Sequence, residues 1–124
     1  MEFTLQASLP ASDIDRAKAW YSDKLGAEPT TELPGAGLLY DIGGAKFGLY
    51  PSEFAGTNQA TAAMLVVNDF DKALADMRSL GVVFEEYDFG DDFRTVDGVL
   101  EGPDGERVSW FKDSEGNILG LTAM

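Results

Sequence analysis

The side chains that could carry chemistry in this chain are carboxylates, tyrosines, lysines and hydroxyls, because its 124 residues include no histidine and no cysteine. This composition excludes thiol nucleophiles, Ser-His-Asp triads within one chain, imidazole or thiolate zinc sites and histidine acid-base catalysis. Two adjacent acidic pairs remain, Glu85-Glu86 and Asp91-Asp92. Neighbouring strand residues point to opposite faces, so Glu85 and Glu86 cannot share one catalytic site. The aspartate pair is interpreted as a solvated loop.

Aromatic and cationic side chains suggest binding instead. Trp110, Phe93 and Tyr40 offer flat surfaces on which a ring can stack, and Arg94 is suited to an anionic group. Each has an alternative interpretation. The aromatic residues are equally typical of packing within a sheet or a dimer, and Arg94 can simply offset the aspartates beside it.

Composition and charge limit the partners. The chain has 9 basic and 22 acidic residues, a net charge of -13, which repels phosphate backbones and anionic lipid surfaces. We therefore expect no nucleic-acid partner and no membrane partner. The sequence shows neither a membrane-spanning apolar run nor a signal peptide, which favours a cytoplasmic location. The length of 124 residues suits one compact domain, or two half-domains too small to stand alone, and an apolar content of 44% is ordinary for a globular protein.

The elements that must position these residues appear as a repeat. The segment 12–26, S-D-I-D-R-A-K-A-W-Y-S-D-K-L-G, returns at 68–81 as N-D-F-D-K-A-L-A-D-M-R-S-L-G. Each copy predicts a helix with an N-cap at Ser12 or Asn68, an acid in the first turn, apolar residues at three- and four-residue steps, and a final glycine. The sequence therefore predicts two copies of one structural unit.

Strands surround each predicted helix. Alternating apolar residues from Phe3 to Leu9 predict the first strand, and Gly43-Gly44 predicts a tight hairpin. A linker is expected at 51–60. The other predicted strands are 27–33 at a sheet edge, 38–42, 45–50, 62–67, 82–88, 96–100, 107–112 and 118–122. The prediction is a single domain, 1–124, with βαβββ module one at 1–57 and module two at 58–124.

Three motifs carry a resemblance over nearly the whole chain. They are D-I-D-R-A-K-A-W-Y-S-D-K-L-G at 13–26, N-D-F-D-K-A-L at 68–74 and W-F-K-D-S-E-G-N-I-L-G-L at 110–121. Together they resemble the glyoxalase, bleomycin-resistance and ring-cleaving dioxygenase superfamily, also called vicinal oxygen chelate proteins. The resemblance implies an α+β fold in which two βαβββ modules in tandem form a curved open barrel, with ligand in the concavity. It also implies a homodimer.

The resemblance further implies four positions for metal ligands. Counted from the motifs, they fall at Gln6, Gly48, Ala62 and Gly120. A divalent ion needs several converging donors, and three of these residues have none in their side chains. Substitute ligands at Lys46 or Glu53 would restore only one. We therefore expect no metal and no cofactor, with Gln6 left as a polar residue of the cavity.

The expected function is metal-independent binding of a small organic molecule, of the resistance or sequestration type that the resemblance includes. Alternatives are a lyase, isomerase or dioxygenase with an atypical or absent metal, and an interaction subunit that acts through its dimer surface. No catalytic residue is assigned. The expected cavity lining combines the four positions that the resemblance implies, their neighbours on the same strand face, two aromatic residues and Arg94. These residues are Gln6, Ser8, Gly48, Tyr50, Ala62, Met64, Phe93, Arg94, Trp110 and Gly120.

Overall fold

The computed structural model describes residues 1–124 as two compact units. Unit 1 comprises Met1–Asn58 and Asp113–Asn117, and unit 2 comprises Gln59–Lys112 and Ile118–Met124. Each unit contains one four-stranded sheet and one helix in the order βαβββ. The predicted α+β class with two such modules in tandem is confirmed.

Unit 1 has the strand order β1-β4-β3-β2, with β1 parallel to β4 and the remaining pairs antiparallel. Gly43 and Gly44 connect β3 to β4 with φ angles of 59° and 84°, a left-handed pair that suits a two-residue hairpin. The predicted hairpin is therefore confirmed. The elements are β1 (Ala7–Ala11), α1 (Ile14–Leu25), β2 (Thr31–Leu33), β3 (Gly37–Ile42) and β4 (Ala45–Pro51).

Unit 2 repeats this topology. Its strand order is β5-β8-β7-β6, in which β5 is parallel to β8 and the other pairs are antiparallel. The order matches that of unit 1 strand for strand, as expected for an internal repeat. The elements are β5 (Thr61–Val67), α2 (Phe70–Ser79), β6 (Leu100–Glu101), β7 (Arg107–Lys112) and β8 (Ile118–Ala123).

Both helices form where the repeat predicts, but their N-caps lie one residue later. Asp13 caps α1 by accepting a hydrogen bond from the Arg16 amide, and Asp69 caps α2 by accepting one from the Lys72 amide. Ser12 and Asn68 were thus wrong as caps, because the aspartate that follows each is also a good capping residue and lies three positions before the free amide. Neither helix is long and apolar enough to cross a membrane.

The first strand is shorter at its start than predicted. It begins at Ala7, and the side chains of Phe3 and Leu5 lie outside it, 77% and 87% exposed. The reason is the length of the neighbouring strand. Ala7 pairs with Phe47, and β4 begins only two residues before Phe47, directly after the hairpin. Residues before Leu5, Phe3 among them, therefore have no partner strand, and the observed pairing with β4 begins only at Ala7.

The predicted strand at 82–88 is also corrected. The segment makes only isolated bridges, including Phe84 to Phe111, and the Glu85 amide donates to the carbonyl of Trp110. The strand β6 pairs with the same edge of β7 at Arg107 and Val108, so the segment 82–88 and β6 divide this edge between them. With one edge divided between two segments, neither can form a long strand.

Helix α1 packs on one face of the unit 1 sheet through aromatic rings. Tyr21 is buried, with its ring centroid 5.9 Å from that of Tyr40 on β3 and 5.8 Å from that of Phe47 on β4. Tyr40 and Phe47 stack 4.6 Å apart. The expectation that Tyr40 offers a stacking surface to a ligand is wrong, because its ring is 1% exposed and is part of the core beneath α1.

The turn between β7 and β8, residues 113–117, belongs to unit 1. The buried carboxylate of Asp113 accepts hydrogen bonds from the Tyr21 hydroxyl at 2.6 Å and from the amides of Glu115 and Asn117. The Asn117 side chain also donates to Asp113 and to the carbonyl of Pro10. Burial and the negative Asp113 raise the pKa of Tyr21, so the tyrosine stays protonated as the donor.

Glu115 anchors the same turn to the start of α1. Its side chain is inaccessible to solvent, and it forms an ion pair of 2.9 Å with Arg16. It also accepts hydrogen bonds from the Asp13 amide at 2.9 Å and from the hydroxyl of Ser114 at 2.7 Å. Burial alone would raise the pKa of Glu115, but the hydrogen bonds from Arg16 and Ser114 outweigh it and lower the pKa to about 2.

Acid is therefore expected to weaken this anchor. The folded pKa of Glu115 lies below its ordinary value of 4.5, so the unfolded chain takes up the proton first. The contribution is complete above about pH 5 and is lost as pH falls from about 4.5 to about 2, at most about 3 kcal/mol. Urea unfolding of wild type and Glu115→Gln checks this prediction. Their difference in unfolding free energy should be largest near pH 7 and shrink towards pH 3, and a pH-independent difference would contradict it.

Candidate functional site

Each sheet has one face that its own helix does not cover, which we call the helix-free face. In unit 1, Phe47 contacts Tyr21 of α1, so Phe47 lies on the face that the helix covers. In unit 2, Arg107 forms an ion pair of 2.6 Å with Asp71 of α2, so Arg107 lies on the covered face there. Strand neighbours of these residues point the other way. The residues expected to line a cavity can therefore be located on or off each helix-free face.

On the helix-free face of unit 1, four of the predicted residues lie together. Ser8 pairs with Gly48 in the parallel register, and Tyr50 follows on the same side, 43% exposed. The amide nitrogen of Gln6 lies 3.1 Å from the point that a Cβ on Gly48 would occupy. The missing side chain of Gly48 thus leaves space into which Gln6 projects.

On the helix-free face of unit 2, three predicted residues form one patch. Gly120 pairs with Met64 on β5 and with Trp110 on β7. A Cβ on Gly120 would overlap the thioether of Met64 and lie 3.6 Å from the indole of Trp110. Met64 remains 44% exposed, so it forms an apolar surface beside the indole.

Ala62 differs from the expected alternation. The register shifts between Thr61 and Ala63, so Ala62 lies in a β-bulge and is half-buried. The hydroxyl of Thr61 accepts a hydrogen bond of 3.1 Å from the indole N–H of Trp110, which brings Thr61 to the helix-free face. The sequence prediction missed Thr61 because a bulge reverses alternation without leaving a clear signal in the residues.

Four aromatic rings then extend this patch from the strand into the loop that follows α2; we call them the aromatic cluster. The ring of Trp110 lies 5.7 Å from Phe93 and 5.6 Å from Tyr87. Phe89 lies 5.6 Å from Phe93 and 6.1 Å from Tyr87, and it is 76% exposed. Tyr87 and Phe89 were not predicted as site residues, although the acidic, aromatic character of the loop was visible in the sequence.

Backbone hydrogen bonds hold this loop in a narrow hairpin. The Phe89 amide donates to the carbonyl of Phe93 at 2.8 Å, and the Thr95 amide donates to the carbonyl of Tyr87 at 2.9 Å. The buried Thr95 hydroxyl in turn accepts from the Tyr87 amide at 2.8 Å. Arg94, predicted as a cation for an anionic group, is exposed at the side of this hairpin. The rings are thus carried on a structured loop.

Charges of both signs surround the cluster, with acids in the majority. Glu85 forms an ion pair of 3.7 Å with Lys112, and burial together with the charge of Glu85 raises the pKa of Tyr87. The tyrosine is therefore a neutral hydroxyl at physiological pH and can serve as a hydrogen-bond donor.

The side chains do not fit the divalent ion that the resemblance implies. Gly48, Ala62 and Gly120 have no donor atoms, and the thioether of Met64 fills the space above Gly120. No group of three or more carboxylates, histidines or cysteines is arranged to hold a metal. Gln6 is the one donor among the four positions, and a single amide binds a divalent ion poorly. The four positions therefore do not supply the several donors that a divalent ion needs.

A separate cleft of about 400 Å³ lies in unit 2 beside the end of α2. Its polar groups already satisfy one another, because Gly98 donates its amide to Glu86 and Arg78 donates to the carbonyl of Asp97. The guanidinium of Arg78 also lies over the ring of Phe84 at 5.6 Å. Glu86 and Arg78 are thus already engaged within the cleft.

Solved structures of similar fold cover nearly the entire chain. Lactoylglutathione lyase from Agrobacterium tumefaciens is 18% identical with a TM-score of 0.73, covering 99% of this chain and 94% of its own. A glyoxalase / bleomycin resistance protein from Catenulispora acidiphila is 24% identical with a TM-score of 0.70, covering 99% of both. The fosfomycin resistance protein FosX from Listeria monocytogenes, complexed with Mn(II), is 17% identical with a TM-score of 0.69, covering 98% and 90%.

These identities show a shared fold alone. No curated protein matches the sequence significantly. The family assignment is carried by the sequence itself, which matches the family model over residues 4–120, nearly its full length. The chain belongs to the Glyoxalase/Bleomycin resistance protein/Dioxygenase superfamily.

Proposed function

We propose that this chain is a metal-independent binding protein for a small organic molecule. The observation that carries the proposal is the aromatic cluster, which places ring surface on the helix-free face of the unit 2 sheet. Phe89 is mostly exposed, and Tyr87, Phe93 and Trp110 are half-buried. Exposed aromatic surface held by a structured loop favours stacking of a flat ligand, with the Tyr87 hydroxyl available for orientation.

The ligand is expected to contact chiefly apolar and aromatic side chains. The patch of Met64 and Gly120 extends the cluster across the sheet, since Gly120 removes a side chain that would stand between the thioether and the indole. Gln6, Ser8, Gly48 and Tyr50, on the helix-free face of unit 1, stay predicted lining residues. Their amide and hydroxyl groups can hydrogen-bond a polar ligand edge.

Tryptophan fluorescence offers a direct test. The chain has two tryptophans, so Trp20→Phe leaves Trp110 as the only reporter. A panel of flat aromatic compounds is expected to contain members that change its emission saturably, with the same affinity after dialysis against EDTA. In a matched dialysis assay, Trp110→Ala should weaken binding about tenfold or more, because a stacking surface is lost.

Phe54→Ala is the control, since Phe54 is 68% exposed and lies in unit 1 outside any strand. It should bind as the wild type does. If no compound binds saturably, or if Trp110→Ala and Phe54→Ala behave alike, the cluster is not the site. Affinity lost with EDTA and restored by one metal would favour the alternative of a lyase, isomerase or dioxygenase. The homodimer and the cytoplasmic location expected from the sequence stay predictions.

A further inference from the structure

The charges around the aromatic cluster are unequal in number. Three carboxylates, Asp88, Asp91 and Asp92, lie on the segment 87–93, which carries three of the rings, and Glu85 lies two residues before this segment. Two cations lie in the same region, and one of them, Lys112, is already paired with Glu85. The second is Arg94, which is exposed. The local balance is therefore negative, within a protein whose net charge is -13.

The hairpin geometry keeps the aspartates close to the rings. Asp91 and Asp92 lie at its tip, between Phe89 and Phe93, whose backbones are joined by a hydrogen bond of 2.8 Å. Asp88 precedes Phe89 and accepts a hydrogen bond from the Gly90 amide at 3.2 Å. The backbones of these three aspartates therefore belong to the same hairpin as Phe89 and Phe93.

The rings and the carboxylates both favour a positively charged ligand. The face of an aromatic ring is electronegative and attracts a cation, most strongly for an indole. Carboxylates at the rim add to this attraction, and they repel an anion of the same shape. The exposed Phe89 ring gives such a ligand a surface that is accessible from solvent.

We propose that the aromatic cluster selects a small organic cation that carries a flat aromatic ring. This inference rests on the proposed function and names the chemical class of its ligand. A flat ring stacks on Phe89, Phe93 or Trp110, while its positive charge is neutralised by the aspartates of the hairpin tip. A neutral ring of equal size stacks in the same way but lacks the electrostatic attraction to the aspartates. An anionic ring is repelled by them.

Three probes of nearly equal shape separate these terms: N-methylquinolinium as the cation, 1-methylnaphthalene as the neutral molecule and 1-naphthoate as the anion. Equilibrium dialysis with the wild-type protein at low ionic strength is expected to show the cation binding about tenfold more tightly than the neutral probe. The anion should bind more weakly than both. Salt should reduce the preference for the cation, because the rim charges are exposed and screened.

The triple variant Asp88→Asn, Asp91→Asn, Asp92→Asn tests the rim. It should lose most of the preference for the cation and leave the affinity of the neutral probe nearly unchanged. The matched control neutralises three other exposed acids of unit 2, Asp76→Asn, Glu101→Gln and Asp104→Asn, which belong to α2, to β6 and to the β6–β7 turn. The control should keep the wild-type preference. Circular dichroism identifies a variant that fails to fold.

The two proposals fail in different ways. Equal affinity for the three probes in the wild type, or an unchanged preference in the rim variant, would overturn the selection of cations while leaving a ring-binding site in place. Binding of the cation that is indifferent to Trp110→Ala but lost equally in both charge variants would show attraction to the whole acidic protein. That outcome would overturn both proposals.

Discussion

Replacing Gly37 by alanine is expected to lower the free energy of unfolding by about 4 kcal/mol, measured by urea titration. Gly37 begins β3 with a φ angle of 122°, a conformation that residues with a Cβ rarely adopt. An added Cβ would also overlap the carbonyl oxygen of Leu49 on the neighbouring strand β4. Because the oxygen belongs to the backbone, the overlap is relieved only by separating the two strands.

Gly35 provides the matched control for this prediction. It also has a positive φ, of 75°, but an added Cβ would meet no atom within 4 Å. Gly35→Ala should therefore cost only the conformational strain, about 1 kcal/mol. If Gly37→Ala lowers the free energy of unfolding no more than Gly35→Ala does, the close approach of β3 to β4 is not the reason that position 37 requires glycine.

Asp113→Ala is expected to cost about 4 kcal/mol, since it leaves several buried donors without an acceptor. The donors are the Tyr21 hydroxyl, the backbone amides of Glu115 and Asn117, and the side-chain amide of Asn117. Urea unfolding at pH 7 measures the loss. Asp113→Asn should fall between alanine and wild type, because its remaining oxygen can still accept some of these bonds.

Asp104→Ala is the control for the buried aspartate, since Asp104 is exposed in the turn between β6 and β7. Its replacement should change stability by less than about 0.5 kcal/mol. Equal losses for Asp113→Ala and Asp104→Ala would contradict the role assigned to the buried carboxylate.

The helices and the residues of the sheet faces were predictable because their signals are local. Apolar steps and final glycines lie within each repeat, so α1 and α2 could be located from the sequence with their N-caps misplaced by one residue. Gly48 and Gly120 came from the resemblance, and alternation added Ser8 and Met64, which pair with them in the structure. These signals need no knowledge of distant contacts, which is why they succeeded.

The failures concern features that tertiary structure decides. The bulge at Ala62 depends on how β5 pairs with β8, and the burial of Tyr40 depends on which face α1 covers. The rings of Tyr87 and Phe89 join Trp110 only because the loop folds back beside β7. Pairings such as Tyr21 with Asp113, 92 residues apart, leave no pattern in a single sequence.

The membership of residues 113–117 in unit 1 has a consequence for the order of events during synthesis on the ribosome. The chain emerges from its N-terminus, so β1, α1 and the strands up to Pro51 appear long before this turn. Tyr21 and Arg16 meet their partners Asp113 and Glu115 only after a further 92 and 99 residues, respectively, have been synthesised. Unit 1 is therefore completed only after residues 59–112 of unit 2 have been synthesised.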